Sequence, residues 1–136
     1  GFGRLEAGAD IVLCSRTPER GQRLAEDLGC QWCPLDQIDM LKGQVLINAT
    51  SVGMAPQDGI SPVPQDVVGR YDVVMDIVYA PLQTQLLKDS QMAGCKVING
   101  LEMLLYQGMS QFELWTGCTP PEEEMRQALS RAFTGG

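Results

Sequence analysis

At 136 residues and 44% apolar composition, the chain has the length of one ordinary globular domain and enough apolar surface for one core. A formal charge of −7 argues against nucleic acid as the main partner, because phosphate backbones are held by basic surfaces, yet it leaves room for one phosphorylated cofactor in a local basic pocket. No apolar run approaches the ~20 residues of a membrane span, no signal-peptide pattern is present, and five cysteines amid helix and strand periodicity read as reduced cytosolic thiols.

The chain opens at Gly1 without an initiator Met, and no strand precedes its first helix-like stretch. Gly1 to Gly8 read as the remaining half of a first helix, and Gly1-x-Gly3 cannot be a phosphate-binding turn, because such a turn follows a strand. Asp10 to Ser15 is the first strand, with four consecutive apolar positions. Thr17 offers an N-cap hydroxyl, Pro18 fits the first helical position, Glu19 suits the positive helix end, and Gly29 stops the helix. Gln31 to Cys33 form a short strand, Leu35 to Leu41 a short helical connection, and Val45 to Asn48 the next strand.

Residues 54–69, with Pro56, Pro62 and Pro64, read as a long irregular loop. Tyr71 to Ile77 is a central strand, Leu82 to Gly94 a helix, and Lys96 to Ile98 a strand. Two helices follow, Leu101 to Trp115 and Pro121 to Phe133, the second with Thr119 as its expected cap. Strands alternating with helices imply an α/β fold with a Rossmann-like parallel sheet and flanking helices, its first strand and glycine-rich turn missing. The whole of residues 1–136 reads as one partial dinucleotide-binding domain.

Ligands of such folds bind at the carboxyl ends of the strands. The first strand ends in Ser15-Arg16-Thr17 with no acid at its tip. An acid there would bind the 2′-hydroxyl of NAD, whereas an Arg accommodates the 2′-phosphate of NADP. Arg16 carries a forked donor set, Arg20 lies one turn into the helix, and the helix amides add to an anion site. The bland alternative is a solvated Arg pair. Asn48-Ala49-Thr50-Ser51 places small and hydroxyl residues at the next strand end, although a strand-to-loop turn needs no ligand. Tyr79 leaves the following strand with a phenol that either meets a polar ligand or is half-buried packing. Gly100 permits close backbone approach before a helix on which Met103 and Gln107 share a face. Met103 is ordinarily core, and an inward Gln needs partners. Cys30 and Cys33 form one Cys-x-x-Cys; with no second pair and no His, no metal site is read, and a short structural strand is the better account.

Taken in order, Ser15-Arg16-Thr17 with Arg20, Asn48-Ala49-Thr50-Ser51-Val52-Gly53-Met54, Asp76-Ile77-Val78-Tyr79-Ala80-Pro81, Gly100-Leu101-Glu102-Met103-Leu104 with Gln107, and Phe112 to Gly117 resemble the C-terminal NADP-binding domain of the shikimate dehydrogenases. The resemblance implies a cytoplasmic oxidoreductase of aromatic amino acid biosynthesis (the chorismate pathway), reducing 3-dehydroshikimate to shikimate with NADPH. It implies that Ser15, Arg16, Thr17 and Arg20 hold the 2′-phosphate, and that Asn48, Thr50 and Ser51 line the cofactor cleft. Ile77, Gly100 and Met103 would lie near the nicotinamide, and Tyr79 and Gln107 would touch shikimate. No catalytic residue is expected in this chain. The family's proton-handling Lys and Asp belong to an N-terminal substrate domain, and Lys42, Lys88 and Lys96 stand in the wrong places to replace that Lys. The isolated chain is therefore expected to be inactive. Ser15 stands where the family usually has Asn. Other readings are an NAD-preferring quinate/shikimate dehydrogenase, the dehydrogenase half of a dehydratase fusion, and a non-catalytic dinucleotide-binding module.

Overall fold

A computed structural model of the chain describes residues 8–134, so the expected half-helix over Gly1 to Gly8 lies almost wholly outside the described residues. The chain divides into two compact units between Lys42 and Gly43.

In the shorter unit, β1 (Val12–Ser15) runs parallel to β2 (Gln31–Pro34), with Val12 opposite Gln31 and Ser15 opposite Pro34. Parallel neighbours cannot be joined by a tight turn, and α1 (Pro18–Leu28) makes the connection. It ends as expected at Gly29, whose φ of 67° lets the amides of Gly29 and Cys30 close on the carbonyls of Glu26 and Ala25. Gly21 and Ala25 form its buried side. A Cβ at Gly21 would lie 2.0 Å from Ser15 Oγ and 2.2 Å from Trp32 Nε1, so only glycine lets this helix close onto the strand tips. A 3-10 segment, Leu35–Met40, buries Ile38.

The five cysteines are free thiols. The pair that meets is not Cys30 with Cys33. Cys14 and Cys33 stand opposite each other in the β1/β2 register. Burial first, and then the neighbouring Cys33 thiol, push the Cys14 thiol up from 9.0 to about 11. Because the folded state holds this proton more tightly, the associated stability is complete below about pH 9 and is lost as pH rises through about 11. At mildly alkaline pH, iodoacetamide is expected to alkylate the exposed Cys118 well before Cys14, with the difference abolished by denaturant; peptide mass spectrometry reads both rates. Equal native rates would contradict the assigned environment.

The longer unit is built on a parallel sheet ordered β3 (Val45–Asn48), β4 (Val73–Asp76), β5 (Lys96–Ile98). Its helices are α2 (Gln65–Val68), α3 (Gln85–Met92), α4 (Gly100–Thr116) and α5 (Glu122–Thr134). Central β4 buries Val74 and Asp76 completely, and Val67, Val68, Leu86 and Leu105 fill the core around it. The stretch expected as an irregular loop contains the turn α2. Pro64 fixes the entry, its carbonyl accepts the amides of Val67 and Val68, and both valines sink into the core. Two adjacent apolar residues are too short a pattern to reveal a helical period.

The helix expected from Leu82 starts instead after Thr84, whose hydroxyl accepts the Leu87 amide. Asn99 caps α4 in the same way, accepting the Glu102 amide. Thr119 does not cap α5: the helix begins at Glu122, and the Pro121 carbonyl accepts the Met125 amide, so the two intervening prolines displace the start beyond reach of that hydroxyl. Arg126 joins α5 to α4 by bonding both Glu122 and Glu102. No helix among the described residues is long and apolar enough to cross a membrane.

Candidate functional site

The tip of β1 carries the first group of candidates. The Ser15 hydroxyl donates to the Thr17 carbonyl at 3.1 Å and accepts from Trp32 Nε1 at 2.9 Å, so it shapes the turn. Thr17 occupies the N-cap position of α1, but its hydroxyl makes no cap bond, contrary to the sequence expectation. Pro18 has no N–H, the exposed Thr17 side chain does not turn back, and the amides of Glu19 and Arg20 have no partner within the helix. Arg16 and Arg20 are exposed beside them and form no ion pair with a described residue. Two unpaired guanidinium groups next to free helix amides make a corner suited to a dianion.

The second group lies in the longer unit, at the exits of β3 and β4 and the start of α4. Asn48 is buried and its amide is fully used. Its nitrogen donates to Asp76 Oδ1 at 3.1 Å and to the Val52 carbonyl at 3.0 Å; its oxygen accepts the Thr50 amide at 3.1 Å and the Thr50 hydroxyl at 2.7 Å. Thr50 and Ser51 are exposed beyond it. Asp76 also accepts from the Val78 amide at 3.0 Å and the Thr84 hydroxyl at 2.7 Å. Half-buried Ile77 and buried Gly100 are brought into backbone contact, since a Cβ on Gly100 would lie 2.4 Å from the Ile77 carbonyl oxygen and 2.5 Å from that of Val78. The close approach foreseen for Gly100 is thus made by the protein's own β4 exit. Met103 is half-buried one turn along α4, and Gln107 is exposed one turn further. Tyr79 is 44% exposed, with its ring edge-to-face against Phe133 at 5.4 Å between centroids.

Sequence reasoning gave no role to Asp76, Thr84, Phe133 or Gly21. For Asp76 a signal existed: a lone acid in the apolar run Val73-Val74-Met75-Asp76-Ile77-Val78 is unusual for a buried strand. Two surface depressions, one on α5 and one between α4 and α5, involve none of the candidate residues. Among the described residues no cluster of metal-ligating side chains occurs.

Parallel strands with crossover helices, and polar residues gathered at the strand carboxyl ends, define an α/β protein of the nucleotide-binding type. Residues 100–129 match the family described as Shikimate 5′-dehydrogenase C-terminal domain. The NADP(+) shikimate dehydrogenase of Pyrococcus abyssi is 47% identical over 130 residues, covering 93% of this chain and 48% of that protein. The crystal structure of a Thermus thermophilus shikimate 5-dehydrogenase in complex with NADP(H) and shikimate is similar with a TM-score of 0.82 at 37% identity, over 94% of this chain and 48% of that one. A quinate dehydrogenase from Corynebacterium glutamicum in complex with NAD gives a TM-score of 0.77 at 25% identity, over 87% and 45%. The chain belongs to the shikimate dehydrogenase C-terminal domain family. It spans about half the length of the curated relatives it matches.

Proposed function

We propose that these residues form part of the NADP-binding domain of a shikimate dehydrogenase, which interconverts 3-dehydroshikimate and shikimate in the cytoplasm. The observation that carries this reading is the β1 tip: Arg16 and Arg20, which pair with no acid among the described residues, stand beside helix amides without intrahelical partners, with no acid at the strand end. That donor set fits a 2′-phosphate, whose charge-assisted bonds to guanidinium groups are the strong kind. In the longer unit Thr50 and Ser51 face the cofactor, Ile77, Gly100 and Met103 border the nicotinamide, and Tyr79 and Gln107 offer a phenol and an amide to the hydroxyl-rich substrate. Ser15 and Asn48 act indirectly, each holding its turn in shape.

The bound nicotinamide supplies the hydride chemistry, and this chain's residues orient it. Proton transfer needs a group on the substrate side, which the remaining half of the protein provides, so this chain alone does not turn over shikimate. The test is NADPH formation from shikimate and NADP+ by the full-length protein and by residues 1–136 alone. Activity of the full-length protein only is expected; turnover by the isolated chain, or none by the full-length protein, would overturn the reading. A second reading, an NAD-using quinate dehydrogenase, is favoured by the likeness to the Corynebacterium glutamicum structure. Faster turnover with quinate and NAD+ in the same assay would select it.

A further inference from the structure

We propose that Asp76 is a positioning residue whose buried carboxylate locks the loops leaving β3 and β4 into a single arrangement, fixing where Thr50 and Tyr79 stand and which polar group Thr50 presents. The proposal rests on the dehydrogenase reading only for what those two residues bind.

Asp76 is 0% exposed, and its three hydrogen-bond partners are neutral donors on three segments: Asn48 at the end of β3, the Val78 amide next to Tyr79, and the Thr84 hydroxyl that caps α3. A carboxylate so placed is expensive to bury and is retained only if its acceptor capacity is used. The directions of the bonds make the network unambiguous. The Val78 amide can only donate, and the Thr84 hydroxyl accepts from Leu87 and so gives its proton to Asp76. With both Asp76 oxygens accepting, Asn48 must present its NH2 to them. Its oxygen therefore faces Thr50 and takes the Thr50 hydroxyl proton. One Thr50 lone pair then receives the Val52 amide. What remains on Thr50 is a single outward lone pair. Thr50 accordingly accepts a hydrogen bond from a ligand and cannot donate one. It selects a hydroxyl donor, such as a ribose hydroxyl, over a phosphate oxygen, and it does so because an acceptor-only group lies two residues behind it in the relay. The Val78 amide, tied to the same carboxylate, sets the backbone immediately before Tyr79.

Asp76→Asn removes the charge at nearly unchanged volume: its remaining oxygen still serves Asn48 and the Val78 amide, more weakly, while its NH2 turns to the Thr84 hydroxyl and displaces the proton that hydroxyl gave to the network. In residues 1–136, amide exchange at Thr50, Val52 and Val78 is expected to accelerate about tenfold or more, with Val74 amide exchange unchanged. In the full-length enzyme, KM for NADP+ and for shikimate is expected to rise about tenfold while kcat changes much less. Ser90→Ala removes a buried hydroxyl outside the network, one that bonds only the Leu86 carbonyl; it should lower Tm without moving either KM. If Asp76→Asn does not fold, Thr84→Ala takes its place. That variant leaves the carboxylate and Asn48 intact and is expected to loosen Val78 more mildly, with Thr84→Ser restoring protection. Unchanged exchange at Thr50, Val52 and Val78, or faster exchange with both KM values unmoved in an active enzyme, would overturn the proposal. A full-length wild type that ignores shikimate would sink the dehydrogenase reading alone, and the exchange measurement would still decide the locking by Asp76.

Discussion

Gly100→Ala is expected to be the most damaging single-methyl change in the longer unit, lowering stability by about 3 kcal/mol and Tm by roughly 10–20 °C. The added carbon would lie 2.4 and 2.5 Å from the carbonyl oxygens of Ile77 and Val78 and 2.7 Å from the Ile77 carbonyl carbon. All three obstacles are backbone atoms, so no rotamer change relieves them. Either the start of α4 moves outward or the β4 exit bends, and the exit is already held by the Val78 bond to Asp76. Gly108→Ala is the matched control on the same helix. Its methyl would meet only the flexible end of Met125 at 3.4 Å, and alanine is the better helix former by about 1 kcal/mol. A thermal melt followed by circular dichroism should show the first variant far below wild type and the second level with it or above. A Gly100→Ala melt within a few degrees of wild type would mean that α4 does not start hard against the strand.

The second large effect concerns the cofactor. In the full-length protein, Arg16→Ala is expected to weaken NADP+ binding about 10–100-fold and leave NAD+ binding unchanged, the value of one or two charge-assisted bonds at about 1.5–3 kcal/mol. Arg16 is exposed and unpaired, so nothing in the described residues competes for it and its removal leaves no buried partner stranded. Arg16→Lys should recover only part of the loss, because an ammonium lacks the planar fork. The whole effect should shrink as salt is added. Equal losses for the two cofactors, or no loss for either, would remove the 2′-phosphate from this corner.

Much of the architecture was legible because β1, β3, β4 and β5 are built on β-branched and large apolar residues and each long helix carries a stop or start residue at its boundary. Gly29 and Pro18 acted as the sequence implied. Short features escaped: α2 is a single turn held by two valines, the exposed Thr17 hydroxyl stands at the N-cap of α1 without bonding an amide, and the prolines after Thr119 move the start of α5 away from it. The candidate site was legible where side chains are exposed and chemically distinctive, as with Arg16 and Tyr79. It was opaque where a residue acts on another. Asn48 read as a residue at a strand end lining the cofactor cleft, yet it is the buried link between Thr50 and Asp76. Gly21 had no local signal at all, because its need for glycine is imposed by Ser15 and Trp32, which approach from outside its helix.

The bond from the Trp32 indole to the Ser15 hydroxyl also furnishes a native optical probe. One of the chain's two tryptophans is half-buried on the residue that adjoins Arg16, while the other, Trp115, is 78% exposed. Acrylamide quenches an exposed indole first, so the surviving bluer emission reports the β1 tip, and titrating phosphate-bearing nucleotides against that emission follows occupancy of the corner without any added dye.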